Sequence, residues 1–365
     1  MFWAIQQRRL SMLIKLSIPG QARDLDISQF TGNRRGSFGD VEFRVNDGLE
    51  KADAWFVFED ADPQDSTCEV PINQVHFLTA EGSWRPDKLL SVAADQFFSQ
   101  FSSVQTCHPT RSPNAEFKPP FLPWMVNANH ESIFSPHYRD INYLKNFEYP
   151  QKDLPLSMFC SAQTWTPAHR LRFSFAEHLK NYFGDDIAWF GNGVNALPEK
   201  WDGLARFDRT IVLENRSDHT NFTEKILDPF LAMTVPIYWG APNIQEFLPV
   251  PKGHEINIHS FADATMQIRK IISKPVGNPD KDLLFAGRDL VLNELHFLNR
   301  ISKIASVHSA ENVRIEAVTL QPKSTFVGDD ITNATMGKRL EDRVYRRLIK
   351  PVRDRFVDVT QAWKV

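Results

Sequence analysis

The sequence predicts an α/β protein with two domains. Short apolar runs alternate with helical patterns along the chain, as in domains that mix strands and helices. A chain of 365 residues is longer than one hydrophobic core usually stabilises. Hydrophobic residues make up 42% of the chain, which is enough for ordinary globular cores. The clearest segment is Thr210–Gly240, which predicts a strand, a polar loop, a helix and a second strand. Such a unit is a parallel βαβ, and ligands of parallel sheets bind outside the carboxyl ends of the strands.

The first half of the chain has the alternation expected of an N-terminal α/β domain over residues 1–155. We predict strands at its apolar runs, which are Met12–Ile18, Trp55–Phe58, Val75–Thr79 and Phe101–Val104. One helical pattern covers Asp87–Phe98. Pro109–Leu156 is rich in proline, asparagine and aromatic residues, and we expect it to wrap the surface and then cross to the second domain.

A second α/β domain is predicted over residues 156–325. Its expected elements are a strand from Leu156 to Cys160, a helix over Pro167–Phe183, strands at Ile187–Phe190 and within Arg206–Glu214, the βαβ unit, a run at Glu255–Ile258 and a helix over Ala262–Ile272. Residues 326–365 form a tail in which Gly337–Phe356 predicts a basic helix. That helix could pack one apolar stripe on the body of the protein or be attracted to an anionic membrane.

Bulk properties exclude several classes of protein. A net charge of −3 gives no reason to expect a nucleic-acid partner. The three cysteines have neither metal-ligand spacing nor the pattern of a disulfide framework, which favours reduced thiols in a cytoplasm. No run approaches the roughly 20 apolar residues of a transmembrane helix. The N-terminal segment is interrupted by Arg8, Arg9 and Lys15 and lacks the features of a signal peptide. We therefore expect a cytoplasmic location.

Functional side chains crowd the junctions of the βαβ segment. Glu214 and Asn215 follow the first strand, Thr223 stands at a helix N-cap position, and Glu224 and Lys225 follow it. The pattern Glu-Asn, a short polar loop, Thr-Glu-Lys and then Val-Pro-Ile-Tyr-Trp-Gly resembles the donor-site motif of the glycosyltransferase family 10 α1,3/1,4-fucosyltransferases. The resemblance covers roughly Val75–Ala262 and is strongest over 172–240. With no membrane anchor in its sequence, the chain is more similar to the soluble bacterial members.

The resemblance implies a GT-B architecture, with two Rossmann-like domains facing a cleft. It also implies an inverting transfer of L-fucose from GDP-fucose to a hydroxyl of a glycan, without a metal cofactor. Lys225 is expected to bind the donor diphosphate, because the first turn of a helix also favours an anion. Arg172, on the helix that opens the second domain, is expected to bind the same diphosphate through its two-pronged guanidinium. The alternative for each is an ordinary surface cation.

The other expected donor contacts are polar. Glu224 would repel a diphosphate, so the resemblance implies that it contacts the fucose or the ribose; alternatively it is a favourable charge at a helix N-terminus. Asn215 can both donate and accept hydrogen bonds from the donor. The family has a donor-contacting tyrosine at the position of Asn221. This departure leaves another nucleotide sugar open as the donor.

A base must deprotonate the acceptor hydroxyl. Bacterial members of the family have a strand followed by Thr-Gly-Glu, whose glutamate is proposed as this base. Glu81 in Thr79-Ala80-Glu81 stands at the matching place, and its alternative is a solvated loop carboxylate. The acid pair in Asp60-Ala61-Asp62 is interpreted as turn residues rather than as a metal site.

The expected partners are a GDP-sugar donor and an oligosaccharide or lipid-linked glycan acceptor. Nothing in the sequence names the acceptor. The basic tail could place the enzyme at the inner face of the cytoplasmic membrane. A protein that binds glycans or nucleotides without turnover is the alternative from another class.

Overall fold

The computed structural model describes residues 12–18, 25–33, 36–62, 64, 66–80, 92–128, 139–195, 197–308 and 313–327. These residues form two compact units. The first unit takes in the described residues within Met1–Asn127, Ser132–Glu148 and Arg288–Phe326. The second takes in those within Ala128–Glu131, Tyr149–Gly287 and Val327–Val365. Among the described residues, no helix has the length and apolar character that crossing a bilayer requires.

Strands and helices alternate along the described chain. The strands are β1 Met12–Ser17, β2 Ser37–Phe38, β3 Val41–Val45, β4 Ala54–Phe58, β5 Thr67–Pro71, β6 Val75–Leu78, β7 Ser103–Thr106, β8 Ala115–Phe117, β9 Leu154–Phe159, β10 Ala188–Phe190, β11 Phe207–Leu213, β12 Val235–Trp239 and β13 Ile315–Thr319. The α-helices are α1 Ser28–Thr31, α2 Val92–Phe98, α3 Ile141–Asn146, α4 Pro167–Phe183, α5 Glu224–Leu231, α6 Phe261–Ile272, α7 Asn278–Leu292, α8 Phe297–His308 and α9 Lys323–Val327.

The first unit is built on a sheet of order β2-β3-β1-β4-β6-β7-β8. Its pairs are parallel except for β2 with β3. Every residue of β4 and β6 is buried, as expected for strands of a parallel sheet covered on both faces. Phe77 of β6 packs its ring against those of Phe97, Phe98 and Phe101 at centroid distances of 5.6, 5.2 and 5.3 Å. These aromatic contacts form the centre of one core.

The second unit is built on a parallel sheet of order β10-β9-β11-β12. Ile211 of β11 stands opposite Met158 of β9 and Ile237 of β12 in the register. These residues share a core with buried side chains of α4 and α6, including Phe175 and Ile268. Burying each such side chain contributes roughly 1.5–3 kcal/mol relative to its exposure. The predicted βαβ unit and the α/β class with parallel sheets are therefore confirmed.

The division of the chain differs from the predicted one in two places. The second unit takes in residues from Tyr149 rather than from 156, together with Ala128, and within it Lys152 donates hydrogen bonds to the carbonyl of Ala205 and the hydroxyl of Thr234. Residues 288–326 belong to the first unit, although 156–325 was predicted to be one domain. There β13 pairs antiparallel with β5, and Thr67 stands opposite Thr319.

Several element boundaries also differ from the prediction. The run Phe101–Val104 contributes only its second half to β7, because the side chain of Phe101 joins the aromatic core instead. Glu255–Ile258 forms only a bridge between Glu255 and Tyr238. The supposed surface segment Pro109–Leu156 contains β8 and α3. The first part of the predicted helix Asp87–Phe98 and the whole basic tail Gly337–Phe356 lie outside the described residues.

Candidate functional site

The strand-to-helix junction of the βαβ unit places several polar side chains at the carboxyl ends of β9 and β11. We call Arg172, Glu214, Thr223, Glu224 and Lys225 the carboxyl-edge cluster. Thr223 is the N-cap of α5, as predicted, with extended backbone angles of φ −129° and ψ −171°. Its hydroxyl oxygen accepts the backbone N–H of Lys225 at 3.4 Å. The cap fixes where α5 begins and so places Glu224 and Lys225 on its first turn.

Glu214 holds the start of α5 against the end of β11. Its own N–H donates to the carbonyl of Trp239, which keeps the residue in line with the sheet. Its carboxylate accepts the N–H of Thr223 at 2.9 Å and the hydroxyl of Thr223 at 2.7 Å. Burial raises the pKa of Glu214, and the neighbouring ammonium of Lys225 opposes that shift. Glu214 is thus a buried brace for the helix N-terminus.

Gly240 is required by the same packing. A Cβ atom at Gly240 would lie 2.5 Å from Cγ of Glu214 and 2.2 Å from the hydroxyl oxygen of Tyr238. That hydroxyl accepts the N–H of Ala241 at 2.8 Å. The glycine that closes the Val-Pro-Ile-Tyr-Trp-Gly run therefore leaves room for the carboxylate brace.

Lys225 is held among oxygen atoms at the N-terminus of α5. Its Nζ lies 3.0 Å from Oγ1 of Thr223, 3.1 Å from Oε1 of Glu224 and 3.9 Å from Oε2 of Glu214. The side chain retains 19% of its exposure. A positioned, partly accessible ammonium at the positive end of a helix dipole can bind an anion.

Glu224 is a buried carboxylate that stays ionised. Burial alone would raise its pKa, but the ammonium groups of Lys225 and Lys200, together with hydrogen bonds from Lys225 and Thr223, lower the pKa to about 2. Its Oε2 has no hydrogen-bond partner among the described residues. An ionised carboxylate only accepts hydrogen bonds, so this oxygen can receive a hydroxyl of a ligand.

Lys200 is a member of this site that the sequence analysis missed. It lies in the 3₁₀ helix Lys200–Gly203, and its Nζ forms a 2.5 Å ion pair with the fully buried carboxylate of Asp228 on α5. It therefore contributes charge to α5 from a distant part of the sequence. No local signal distinguishes Lys200 from a surface lysine, because its partner lies 28 residues further along the chain.

Arg172 lies on α4, and its guanidinium reaches the ends of both central strands. Its Nη1 donates to the carbonyl of Leu213 at 3.3 Å and its Nη2 to the hydroxyl of Ser161 at 3.4 Å. Its Nε has no hydrogen-bond partner in the described part of the chain. Arg170 instead donates to the carbonyl of Thr164. Arg172 is therefore the arginine that the fold brings to the carboxyl ends of the strands.

Arg172 and Lys225 both reach the carboxyl end of β11, the first through the carbonyl of Leu213 and the second through the carboxylate of the adjacent Glu214. Burial raises the pKa of the Cys160 thiol to about 11, and Arg172 and Lys225 both oppose this shift, whereas Glu177 adds to it. Cys160 directly follows β9. The two predicted phosphate-binding cations thus converge near the end of this strand, where they could bind adjacent oxygens of one polyanion.

The two asparagines lie on the loop between β11 and α5. The Oδ1 atom of Asn215 is buried and has no hydrogen-bond partner among the described residues. Asn221 is buried, and its N–H donates to the carbonyl of Asp218. Asn243 fastens the loop, because its side-chain oxygen accepts the N–H of Thr220 at 2.7 Å. Thr220 has a φ of 65°, so this fastening holds a left-handed backbone conformation.

His169, Gly191 and Asp60 have structural roles. His169 is part of the N-terminal cap of α4, with its Nδ1 2.6 Å from the hydroxyl of Thr166. Gly191 has a φ of 148°, and a Cβ there would lie 2.7 Å from the carbonyl oxygen of Cys160, so the glycine serves a close turn. Asp60 accepts the backbone N–H groups of Ala61 and Lys323, as a turn carboxylate does.

The described residues contain no group of three or more His, Cys, Asp or Glu side chains placed to bind a metal. Cys68, Cys107 and Cys160 are buried and form no disulfide among the described residues. Glu81, the predicted base, lies outside the described residues, so its role stays a prediction. The preceding strand β6 and the buried Thr79 are described.

Curated sequences that are similar to this chain include a fucosyltransferase. A 107-residue segment is 28% identical to an α-(1,3)-fucosyltransferase, FucT, of Helicobacter pylori. The match covers 28% of this chain and 22% of that protein. No family model matches the chain. The match confirms the resemblance to α1,3-fucosyltransferases that the βαβ motif indicates, over about a fifth of the relative's length.

Solved structures of α1,3-fucosyltransferases are similar to most of the chain. A crystal structure with GDP-fucose is 12% identical, with coverage of 88% of this chain and 90% of that chain and a TM-score of 0.42. A second crystal structure is 16% identical, covers 78% and 83%, and has a TM-score of 0.45. A third, with GDP, is 14% identical, covers 86% and 95%, and also has a TM-score of 0.45. The functional interpretation therefore depends on the residues of the carboxyl-edge cluster.

Proposed function

We propose that this protein is an inverting glycosyltransferase that moves L-fucose from GDP-fucose to a hydroxyl of a glycan. The observation that carries the proposal is the convergence of Arg172 and Lys225 at the carboxyl ends of parallel strands, beside the N-terminus of α5. A diphosphate leaving group needs its developing negative charge neutralised, and these groups supply two cations and a helix N-terminus. The match to an α-(1,3)-fucosyltransferase adds independent support.

In the proposed reaction, the bond between fucose C1 and the β-phosphate oxygen of GDP breaks. The acceptor oxygen forms its bond to C1 from the opposite face, which inverts the configuration from β to α. The electron pair of the broken bond leaves with GDP, where Arg172 and Lys225 stabilise it. The acceptor proton goes to the carboxylate of Glu81. The products are GDP and the fucosylated glycan, and no metal or other cofactor enters the proposal.

The remaining polar groups would orient the donor. The free oxygen of Glu224 would accept a hydroxyl of the fucose or the ribose, and the unpartnered Oδ1 of Asn215 would accept another. Asn221 lies on the same loop and would add a polar contact. Thr223 and Glu214 would act through Lys225, since their oxygens fix its ammonium.

A different donor sugar is the second candidate function. Asn221 is buried in the loop beside the cluster, where the resembling family has a donor-contacting tyrosine. An asparagine offers both a donor and an acceptor but no aromatic face, so its contacts with a sugar or base would differ. With either donor sugar, the proposed acceptor is an oligosaccharide or a lipid-linked glycan. The predicted basic tail is the proposed membrane contact.

The proposal is tested by calorimetry and by GDP release with a panel of donors. GDP-fucose is compared with GDP-mannose, UDP-galactose and free GDP on the wild-type protein and on Lys225→Ala. Preference for GDP-fucose that collapses in the variant supports the proposal. Preference for another nucleotide sugar replaces fucose and keeps the site. Donor binding without release of GDP in the presence of any acceptor tested would favour a binding protein instead.

A further inference from the structure

A cavity of about 680 Å³ lies at the opposite, amino-terminal end of the sheet of the second unit. Its polar lining includes Arg209, Lys252, His254, Lys270, Lys274 and Asp280. Arg209 stands in the first half of β11 and is paired with Val235, the first residue of β12. We call this space the amino-edge cavity. Arg209 and Glu214 lie on the same segment, separated by about 16 Å at the usual rise per strand residue.

The amino-edge cavity is rich in positive charge. Four cations line it, and Asp280 is the one carboxylate among the named lining residues. That carboxylate already accepts the N–H of Gly277 at 3.0 Å. Burial lowers the pKa of His254, so this imidazole is neutral near pH 7 and the charge comes from Arg209 and the lysines. The three lysines are exposed and can turn toward a ligand.

Arg209 is the unusual member of this lining. Its side chain belongs to a residue that is 4% exposed, and its Nη2 donates to the carbonyl of Lys274 at 2.7 Å. Its Nε has no hydrogen-bond partner among the described residues. Within those residues no carboxylate lies within ion-pair distance of its guanidinium. Burial accordingly lowers its pKa, while Asp208, Asp280 and Tyr149 oppose the shift from further away.

A buried cation without a counter-ion is costly, and a bound anion would offset that cost. The planar fork of an arginine matches two oxygens of a phosphate, and flexible lysines add point charges around it. The volume lies in the range of small-molecule sites, so it exceeds the needs of a single inorganic phosphate. We propose that the amino-edge cavity binds a phosphate-bearing molecule at a site separate from the carboxyl-edge cluster.

The first experiment measures pyrophosphate binding by calorimetry with the full chain at low and at physiological salt. Because pyrophosphate could also bind at the carboxyl-edge cluster, the titrations are made in a Lys225→Ala background. Adding Lys270→Ser and Lys274→Ser, which alter exposed residues, should weaken binding by about tenfold. Arg209→Met should do the same through loss of a charged hydrogen bond. Lys51→Ser, an exposed lysine of the first unit, is the matched control and should change nothing.

Two sources of the phosphate are then distinguished with vesicles. Sedimentation with phosphatidylglycerol vesicles is compared with sedimentation with phosphatidylcholine vesicles, for Lys225→Ala alone and for Lys225→Ala that also carries Lys270→Ser and Lys274→Ser. Loss of pyrophosphate binding in the variant identifies a soluble ligand, and loss of phosphatidylglycerol binding identifies a lipid headgroup. The proposal is overturned if neither probe binds in the Lys225→Ala background, or if both bind the cavity variants as tightly as the control. Donor turnover is measured separately, so this result does not depend on the proposed reaction.

Discussion

Buried cations have different partners at the two ends of the sheet in the second unit. At the carboxyl-edge cluster, Lys225 lies against oxygens of Glu224 and Glu214, and a nearby lysine pairs with Asp228. At the amino-edge cavity, the guanidinium of Arg209 donates to the carbonyl of Lys274, and no carboxylate in the described part of the chain forms an ion pair with it. The first arrangement gives both lysines carboxylate partners before any ligand arrives, whereas Arg172 of the same cluster donates to a carbonyl and a hydroxyl. At the amino-edge cavity, the described residues place no carboxylate against Arg209. A bound anion would therefore neutralise more of the charge of Arg209 than of the charge of the two lysines.

The largest expected effect is on the rate of GDP release, and it tests whether the carboxyl-edge cluster takes part in the reaction. Lys225→Ala should lower the rate of GDP release by about 100- to 1,000-fold, because one electrostatic donor to the developing charge is lost. The measurement is steady-state GDP release from the preferred donor. Lys51→Ala is the control and should keep the wild-type rate. Wild-type activity in Lys225→Ala would remove this lysine from the reaction.

The next effect concerns the ion pair beneath the cluster. Lys200→Met should lower the free energy of unfolding by about 3–5 kcal/mol, since it removes the ion-pair partner of the fully buried carboxylate of Asp228. Denaturant unfolding followed by circular dichroism measures the change. The double variant Lys200→Met/Asp228→Asn should recover part of the loss. A double variant no better than the single one would show that the pair does not account for the effect.

Gly240 offers a test of the packing around the carboxylate brace. Gly240→Ala should cost about 1–3 kcal/mol of stability, because its new Cβ would meet Glu214 at 2.5 Å and Tyr238 at 2.2 Å. Gly277→Ala is the matched control, since its nearest atom would be at an ordinary 3.4 Å. Thermal unfolding of both variants gives the comparison. Equal stability of the two would argue against close packing at Gly240.

The pH dependence of stability sharpens the electrostatic side of the comparison. The folded-state pKa of Glu224 is lowered from 4.5 to about 2, so its ionised form contributes stability above pH 4.5. This stability is lost as the pH falls from 4.5 toward 2, by about 1–3 kcal/mol. Glu224→Gln should be less stable than the wild type at pH 7 and should show a flatter decline in that window. Unfolding by urea at a series of pH values checks this, and parallel curves for both proteins would refute it.

The smallest expected effect comes from the amino-edge cavity. Arg209→Met should change the free energy of unfolding by about 1 kcal/mol or less, since the loss of the bond to Lys274 is offset by removal of an unpaired buried charge. Urea unfolding without added anions measures it alongside Lys200→Met. A loss as large as that of Lys200→Met would assign Arg209 a structural role and erase the difference between the two edges.

The sequence was most informative where function and local structure share the same residues. The apolar run of β11, the cap at Thr223 and the helical spacing of α5 are all local patterns, and the structure has them where they were predicted. The assignment of Arg172 followed from the family motif, and in the structure Arg172 reaches the strand ends whereas Arg170 donates to the carbonyl of Thr164. Features that no local pattern indicated come from contacts between distant segments. The return of residues 288–326 to the first unit depends on the pairing of β13 with β5.

The sequence by itself determined the α/β class, the βαβ unit and the positions of Thr223, Glu224 and Lys225 on one helical turn. Those features follow from periodicity and capping, which act over a few residues. Only the tertiary structure decided that Lys200 pairs with Asp228 and that Gly240 makes room for Glu214. It also decided that Arg209 is buried with no ion-pair partner among the described residues. These features depend on which segments pack together. A local pattern indicates that a side chain will be buried, but it does not specify its neighbours.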